Sequence, residues 1–322
     1  MISRLLLSLM LAALAAASAQ AQTYPTRQVT VLVPFSAGGG SDLLARLVTQ
    51  KLEERLGKPF IIENRPGAST TIAAMAVVRA TPDGHTLMQA TSSTMAINVS
   101  MIKKLQYEPL KDLVPVALLS SSPFFLVVNE SLPVKSVAEL IALAKSKPNE
   151  LNYGSGGPGS QHHLNTELLQ SMTGIQMTHV PYKATPPAMN DLIAGHIQVL
   201  FGDTTSTLPM IQQGKVRALA VSTLQRSEAA PEVPAVAETV PGFEAASWQM
   251  IVAPGGTPPD IVALLNREVK TIFSDPAVRA ELTRRGVGPV ITGSPAELQE
   301  YVKKEIVRWS AIVKRAGLEG TQ

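Results

Sequence analysis

The stretch VTVLVPFSAGGGSDLLARLVTQKLEERL, residues 29–56, passes from strand to helix across a run of glycines. Val29 to Phe35 is a short apolar run of the kind that forms a buried strand. From Asp42 to Leu56, the residues Leu44, Leu47, Val48, Leu52 and Leu56 recur at helical spacing and share one face. Gly57 then suits the helix C-terminus. The pattern repeats outward: Phe60 to Glu63 reads as strand, Thr71 to Arg79 as helix and Thr86 to Ala90 as strand, with Asn64-Arg65-Pro66-Gly67 and Pro82-Asp83-Gly84 as turns. Strands alternating with helices define an α/β class with largely parallel sheets. Ser136-x-x-Glu139 and Ser294-Pro295-x-Glu297 are capping boxes that open helices toward Lys145 and Arg315. Thr257-Pro258-Pro259-Asp260 opens another, through Phe273.

Composition narrows the function. Of 322 residues, 45% are hydrophobic and only 16% charged, below the roughly 25% of an average soluble chain. The 28 basic and 25 acidic residues are interspersed, so the basic stripe expected of a nucleic-acid binder is missing. There is no cysteine, which excludes disulfides, thiolate nucleophiles, Cys-ligated zinc and iron–sulfur clusters. Residues 1–21 carry Arg4, an apolar run from Leu5 to Ala17 and the small-x-small site Ala19-Gln20-Ala21. That is the layout of a secretory signal peptide cleaved after Ala21, and the run is shorter than the about 20 residues of a membrane span. Without a cysteine after the cleavage point, a lipid anchor is not expected.

Two strand-to-helix loops are candidates for chemistry. The first contains Phe35, Ser36, Ala37, Gly38, Gly39, Gly40, Ser41 and Asp42. Glycines let the backbone approach a ligand, and the following helix offers unpaired N–H groups to an anion. The alternative is a plain turn with Ser41 or Asp42 as helix cap. Asp42 could itself occupy the anion position, or receive an ammonium group of a ligand. The second loop, Tyr153 to Ser160, matches GxGxxG through Gly154, Gly156 and Gly159. The acidic residue that a dinucleotide site needs at the end of the next strand is absent from Met177 to Tyr182. The loop therefore reads as another anion- or hydroxyl-binding turn, and no cofactor is expected.

Thr91-Ser92-Ser93-Thr94 and Gly202-Asp203-Thr204-Thr205-Ser206 also end strands, where ligands bind in open α/β sheets. His162 and His163, adjacent on a helix, point about 100° apart and do not readily share a metal. A buried hydrogen bond suits His163 better, and no metal site is expected. Neither GxSxG nor HExxH occurs, so no catalytic residue is assigned.

Taken in order, VPFSAGGGSDLLAR, ENRPGAS, PDGHTLM, GSGGPGSQHHLNTELL, HVPYKATPPAMNDLIAGHI, GKVRALAVST and EVPAVAETVPGFE resemble the receptors of tripartite tricarboxylate transporters, also called Bug receptors. The resemblance runs from about Tyr24 to the last helix. It implies a type II-like periplasmic binding protein with two α/β lobes and a ligand cleft between them. One lobe would comprise residues 22–121 plus 246–322 and the other 122–245, joined through the connecting strands Leu113 to Val128 and Ala246 to Ala253. It further implies that a small carboxylate is held by Phe35 to Asp42 and by Ser155, Gly156 and Ser160. Ser92, Ser93, Lys183 and Asp203 are secondary candidates for its distal end. The family pattern PF-x-x-GG-x-x-D is kept, whereas Ala184-Thr185-Pro186-Pro187 stand where glycines commonly follow HVPYK. The partners implied are large and small integral-membrane permease subunits, with the receptor itself monomeric and binding no nucleic acid. A periplasmic sensing subunit and a secreted hydrolase are the alternative functions.

Overall fold

The computed structural model describes residues 24–38, 40–182, 185–284, 287, 290 and 292–322. The expected signal peptide, Gly39 and Lys183 lie outside them. Ten strands form two five-stranded sheets. The first contains β1 (Val29–Val33), β2 (Phe60–Asn64), β3 (Thr86–Thr91), β4 (Leu113–Ser122) and β10 (Ser247–Pro254), in the order β2-β1-β3-β10-β4. The second contains β5 (Phe124–Asn129), β6 (Asn152–Ser155), β7 (Thr178–Pro181), β8 (Val199–Asp203) and β9 (Val216–Val221), in the order β7-β6-β8-β5-β9.

The sheets are mixed, not largely parallel. β1 runs parallel to β2 and β3, and β6 to β7 and β8. By contrast, β5 and β10 are antiparallel to both of their neighbours. The reason is connectivity: each enters its sheet directly after the chain has come across from the other one. The expected single connecting strand Leu113 to Val128 is likewise two, because Pro123, which has no N–H to give a ladder, stands between β4 and β5. Buried Ser222 ties the two crossings together. Its Oγ accepts the Phe124 N–H at 2.8 Å and donates to the Ala245 carbonyl at 3.1 Å.

The opening helix α1 (Gly40–Leu56) behaves as its periodicity demands. Leu44, Val48 and Leu52 are buried against Val29, Val31 and Leu87 of the first sheet and against Val262, Leu265 and Val269. Each such side chain contributes about 1.5–3 kcal/mol through burial. Because α1 starts at Gly40, Ser41 and Asp42 sit inside its first turn and not at the cap. The opposite face of the first sheet, with Leu32 and Met88, shares a core with Leu126 and Phe201 of the second. That shared core also holds Trp248 and Trp309, whose indole N–H groups both donate to buried Glu305, at 2.8 and 3.1 Å.

The remaining helices are α2 (Thr71–Val78), α3 (Asn98–Met101), α4 (Pro109–Asp112), α5 (Val137–Ser146), α6 (Gln161–Thr173), α7 (Thr185–Ala194), α8 (Thr204–Gln212), α9 (Pro259–Ser274), α10 (Pro276–Arg284) and α11 (Pro295–Arg315). Both expected caps form: Ser136 accepts from the Glu139 N–H, and Ser294 and Glu297 make a reciprocal box. The Glu139 carboxylate instead takes the N–H of Lys135, one residue before the cap. Among the described residues no helix is long and apolar enough to cross a membrane.

Candidate functional site between the sheets

The loop after β1 is held by one carboxylate. Asp42 is buried, and its Oδ2 accepts from the Gly38 N–H at 2.9 Å and from Arg46 Nε at 2.8 Å. Its Oδ1 accepts from Asn64 Nδ2 at 2.9 Å and from a second Arg46 nitrogen at 3.2 Å. The Arg46 hydrogen bond, helped by Gly38 and Asn64, outweighs burial and holds the Asp42 carboxyl down at about 2. Gly38 reaches this contact in the left-handed region, at φ +84°, which glycine adopts without steric cost. Of the two roles open to Asp42 in the sequence, the hydrogen bonds match the first: its carboxylate occupies the anion position of the loop and accepts the Gly38 N–H. Asn64 also donates to the Phe35 carbonyl, leaving the Phe35 ring exposed.

The loop after β6 is built on a stack of rings. Tyr153, His179 and His163 lie nearly parallel, with 4.9 Å between the first two and 4.0 Å between the histidines. Buried Ser155 Oγ lies 2.6 Å from His179 Nε2 and accepts the Gly157 N–H at 3.0 Å. His163 Nδ1 accepts the Gly159 N–H at 3.1 Å, the buried hydrogen bond expected of it. Burial holds both histidines well below the ordinary imidazole value, at about 4, so they are neutral and can accept. Ser160 caps α6 by accepting from the His163 N–H.

The other two strand ends are equally tied. Thr94, at the start of a π-turn (Ser93–Ile97), bonds Thr91 and meets Thr70 Oγ1 at 2.8 Å. Asp203 caps α8 by accepting from the Ser206 N–H at 2.9 Å, and its Oδ2 lies 3.7 Å from His162 Nε2. Burial opposes ionisation of Asp203, but the nearby His162 and the hydrogen bonds from Ser206 prevail and keep its carboxyl at about 2.

These loops line two chambers. The larger, about 420 Å³, is walled by Pro34, Phe35 and Ser36 after β1, by Pro158 to Gln161 after β6, and by Ser69, Thr70, Ser93, Asn98, Met101 and Gln322. The smaller, about 220 Å³, takes Ser41 from the first turn of α1, Thr204 and Thr205 from that of α8, and Asp203, Phe124, Ser247 and Gln249. Neither wall contains a lysine or arginine among the described residues. An anion in the larger chamber would meet hydroxyls, amides and the free N–H groups of a helix first turn, whereas in the smaller one it would also face the ionised Asp203 carboxylate. Among the described residues no three His, Cys, Asp or Glu side chains are placed to hold a metal.

The candidates from sequence therefore divide. Phe35, Ser36, Ser93 and Ser160 face the larger chamber, and Ser41 and Asp203 the smaller. Ala37, Gly38, Gly40 and Gly156 line neither; Asp42, Ser92 and Ser155 are buried supports, Ser92 donating to Gln161 Oε1 at 3.3 Å across the cleft. Gln161, whose Nε2 donates to the Ala246 carbonyl at 2.8 Å, was not foreseen as a wall residue. Nor were Ser69, which ends the ENRPGAS segment, and Asn98, Met101 and Gln322, which carry no local motif; the four meet only through tertiary packing.

Two α/β lobes with strand-end loops facing each other across a cleft define a solute-binding protein of the periplasmic type. Residues 44–318 match the model of the tripartite tricarboxylate transporter family receptor, and the chain belongs to that family of solute-binding receptors. It is similar to protein BugT of Bordetella pertussis, at 37% identity over 94% of this chain and 93% of the relative. Among solved structures it resembles R. palustris Rpa4515 with adipate, at 40% identity, 91% and 98% coverage and TM-score 0.77. It also resembles MatC (Rpa3494) from Rhodopseudomonas palustris with bound malate, at 36% identity, 90% and 100% coverage and TM-score 0.73.

Proposed function

We propose that this receptor captures a small carboxylate between its lobes outside the cytoplasmic membrane and delivers it to large and small integral-membrane permease subunits. The observation that carries the reading is the pair of loops, Pro34 to Ser36 and Pro158 to Gln161, set opposite each other around a chamber with no cationic side chain. Two polar loops on different lobes can share one ligand, and a ligand that touches both stabilises the closed arrangement. Similarity to receptors solved with adipate and malate supports a carboxylate. The lobes in this reading are residues 22–121 with 246–322, and 122–245. The mature protein, cleaved after Ala21, is a monomer without a lipid anchor, and it binds its ligand without turning it over.

The test is a thermal-shift screen of the mature protein against malate, adipate, citrate, glutamate and nicotinate, with sugars and polyamines alongside. A ligand bound only by the native state stabilises it by about 2.7 kcal/mol at a hundredfold excess over Kd. At least one carboxylate is expected to raise the melting temperature. A shift with sugars or polyamines and with no carboxylate overturns the proposal.

A further inference from the structure

Beside the ligand chamber lies a second cavity of about 330 Å³, lined by Met75, Ile102 and Leu105 together with Lys104 and Gln106. The two spaces share Ser69 and Gln322 as walls. Where they adjoin, Ser69 Oγ donates to Gln322 Oε1 at 2.8 Å. On its other side the Gln322 amide approaches the second lobe: a Cβ built on Gly159 would stand 3.4 Å from Gln322 Nε2. The Gln322 side chain, exposed like Ser69, thus spans from Ser69 toward Gly159 at the outer edge where the two cavities adjoin.

Both sides of this contact are held independently of it. The Gln322 N–H donates to the Met101 carbonyl at 3.0 Å, and its main-chain oxygen accepts from the Lys103 N–H at 2.9 Å. Ser69 belongs to a turn in which Ala68, Ser69 and Thr70 all have positive φ, at 44°, 50° and 76°. Side chains carry a steric cost in that region, and the turn is kept there by Asn98 Nδ2, which donates to the Ser69 carbonyl at 2.7 Å. Replacing the Gln322 side chain would therefore leave the backbone on either side in place and join the two cavities.

We propose that Gln322 is a specificity-determining partition that sets the length of ligand the receptor accepts. This rests on the carboxylate reading above. The chemistry behind the partition selects the ligand class: aliphatic walls from Met75, Ile102 and Leu105 suit a methylene chain. Lys104 at the rim is exposed and makes no ion pair among the described residues, so it is free to meet a second carboxylate. With Gln322 in place the receptor favours short dicarboxylates; with it truncated, α,ω-dicarboxylates long enough to reach Lys104 gain.

The experiment is calorimetric titration of mature wild type, Gln322→Ala, Ser69→Ala and Gln322→Ala/Lys104→Gln with succinate, glutarate, adipate and suberate. Gln322→Ala is expected to raise suberate affinity relative to succinate at least tenfold, and Ser69→Ala to move the ratio the same way by less. Adding Lys104→Gln should remove most of the gain. If the four acids bind with the same relative affinities in wild type and Gln322→Ala, or all weaken by one factor, the partition is refuted while the carboxylate reading stands. If none of the four acids binds while the screen above finds another carboxylate, the partition is refuted alone; if the screen finds no carboxylate either, the carboxylate reading fails and the partition with it.

Discussion

Gly159→Ala separates two physical effects that are usually confounded. Gly159 sits at φ +74°, and an added Cβ would lie 2.1 Å from the Met101 methyl carbon on the other side of the chamber. The backbone cost of the left-handed region, about 1–2 kcal/mol, is present whenever the loop is folded. It lowers stability, by about 2–8 °C in melting temperature for lobes of this size, but does not depend on the ligand. The Met101 contact instead exists only when the lobes approach as they do here. To reach an ordinary carbon–carbon separation of about 3.5–4.0 Å, Met101 or the second lobe must retreat by about 1.5 Å. Met101 is buried, but its methyl is the far end of a flexible side chain that borders the chamber. Because that methyl can swing aside, the cost falls at the low end of overpacking, about 1 kcal/mol, and the dissociation constant should rise by about fivefold. Met101→Ala in the same background removes the obstruction and should return affinity to within about threefold of Met101→Ala alone, while the protein stays destabilised. Isothermal titration with whichever carboxylate the screen identifies, alongside thermal melts, reads both quantities. A single variant that binds within twofold of wild type, or a double variant no better than the single one, would refute the idea that these loops close on each other over the ligand.

Three further outcomes follow from the supports beneath the site. Asp42→Asn leaves Arg46 without its carboxylate and weakens the hold on the Gly38 N–H; with charged hydrogen bonds contributing about 1.5–3 kcal/mol each, a lower melting temperature and weaker ligand binding are expected in melts and titrations. His163 and His179 bind protons more weakly when folded, so between pH 6.5 and about 4 the unfolded chain holds more protons than the native one. Stability should therefore be fully present above pH 6.5, fall as pH drops through that window and level off below 4. His163 accounts for about 2 kcal/mol after allowance for partial solvation, and denaturant unfolding of His163→Gln should show a flatter profile. Glu305→Ala strands the indole N–H groups of Trp248 and Trp309 and removes a partner of Arg308, which lies 2.7 Å from Glu305. A loss of about 3–5 kcal/mol is expected on thermal unfolding, and a melt within 2 °C of wild type would contradict the role given to Glu305.

Much of the architecture was legible because it rests on local chemistry. The α1 face of Leu44, Val48 and Leu52 is buried as its spacing requires. The Ser294 box starts α11 where Pro295 and Glu297 demand, since a cap satisfies N–H groups only a few residues away. Strand direction was less legible. Nothing in the apolar runs of β5 and β10 distinguishes a parallel from an antiparallel neighbour, and the direction depends on which sheet the chain has just left. For the same reason, Leu113 to Val128 reads in sequence as one connecting strand although Pro123 marks a crossing between two.

The site divides along the same line. That polar loops such as Phe35 to Asp42 and Tyr153 to Ser160 follow strands, and that few charges are available to line a cleft, is settled by residue types and order along the chain. Which of those polar groups remain free for a ligand is settled only by the folded molecule. Asp42, Ser155 and His163 spend their hydrogen-bonding capacity on neighbouring protein groups, while Gln322 reaches the chamber from a segment with no motif to mark it. A hydrogen bond between groups far apart in sequence leaves no periodicity, because its partner is chosen by three-dimensional proximity alone. Ser69 and Gln322, 253 residues apart, meet at the edge of the chamber only because packing brings both there.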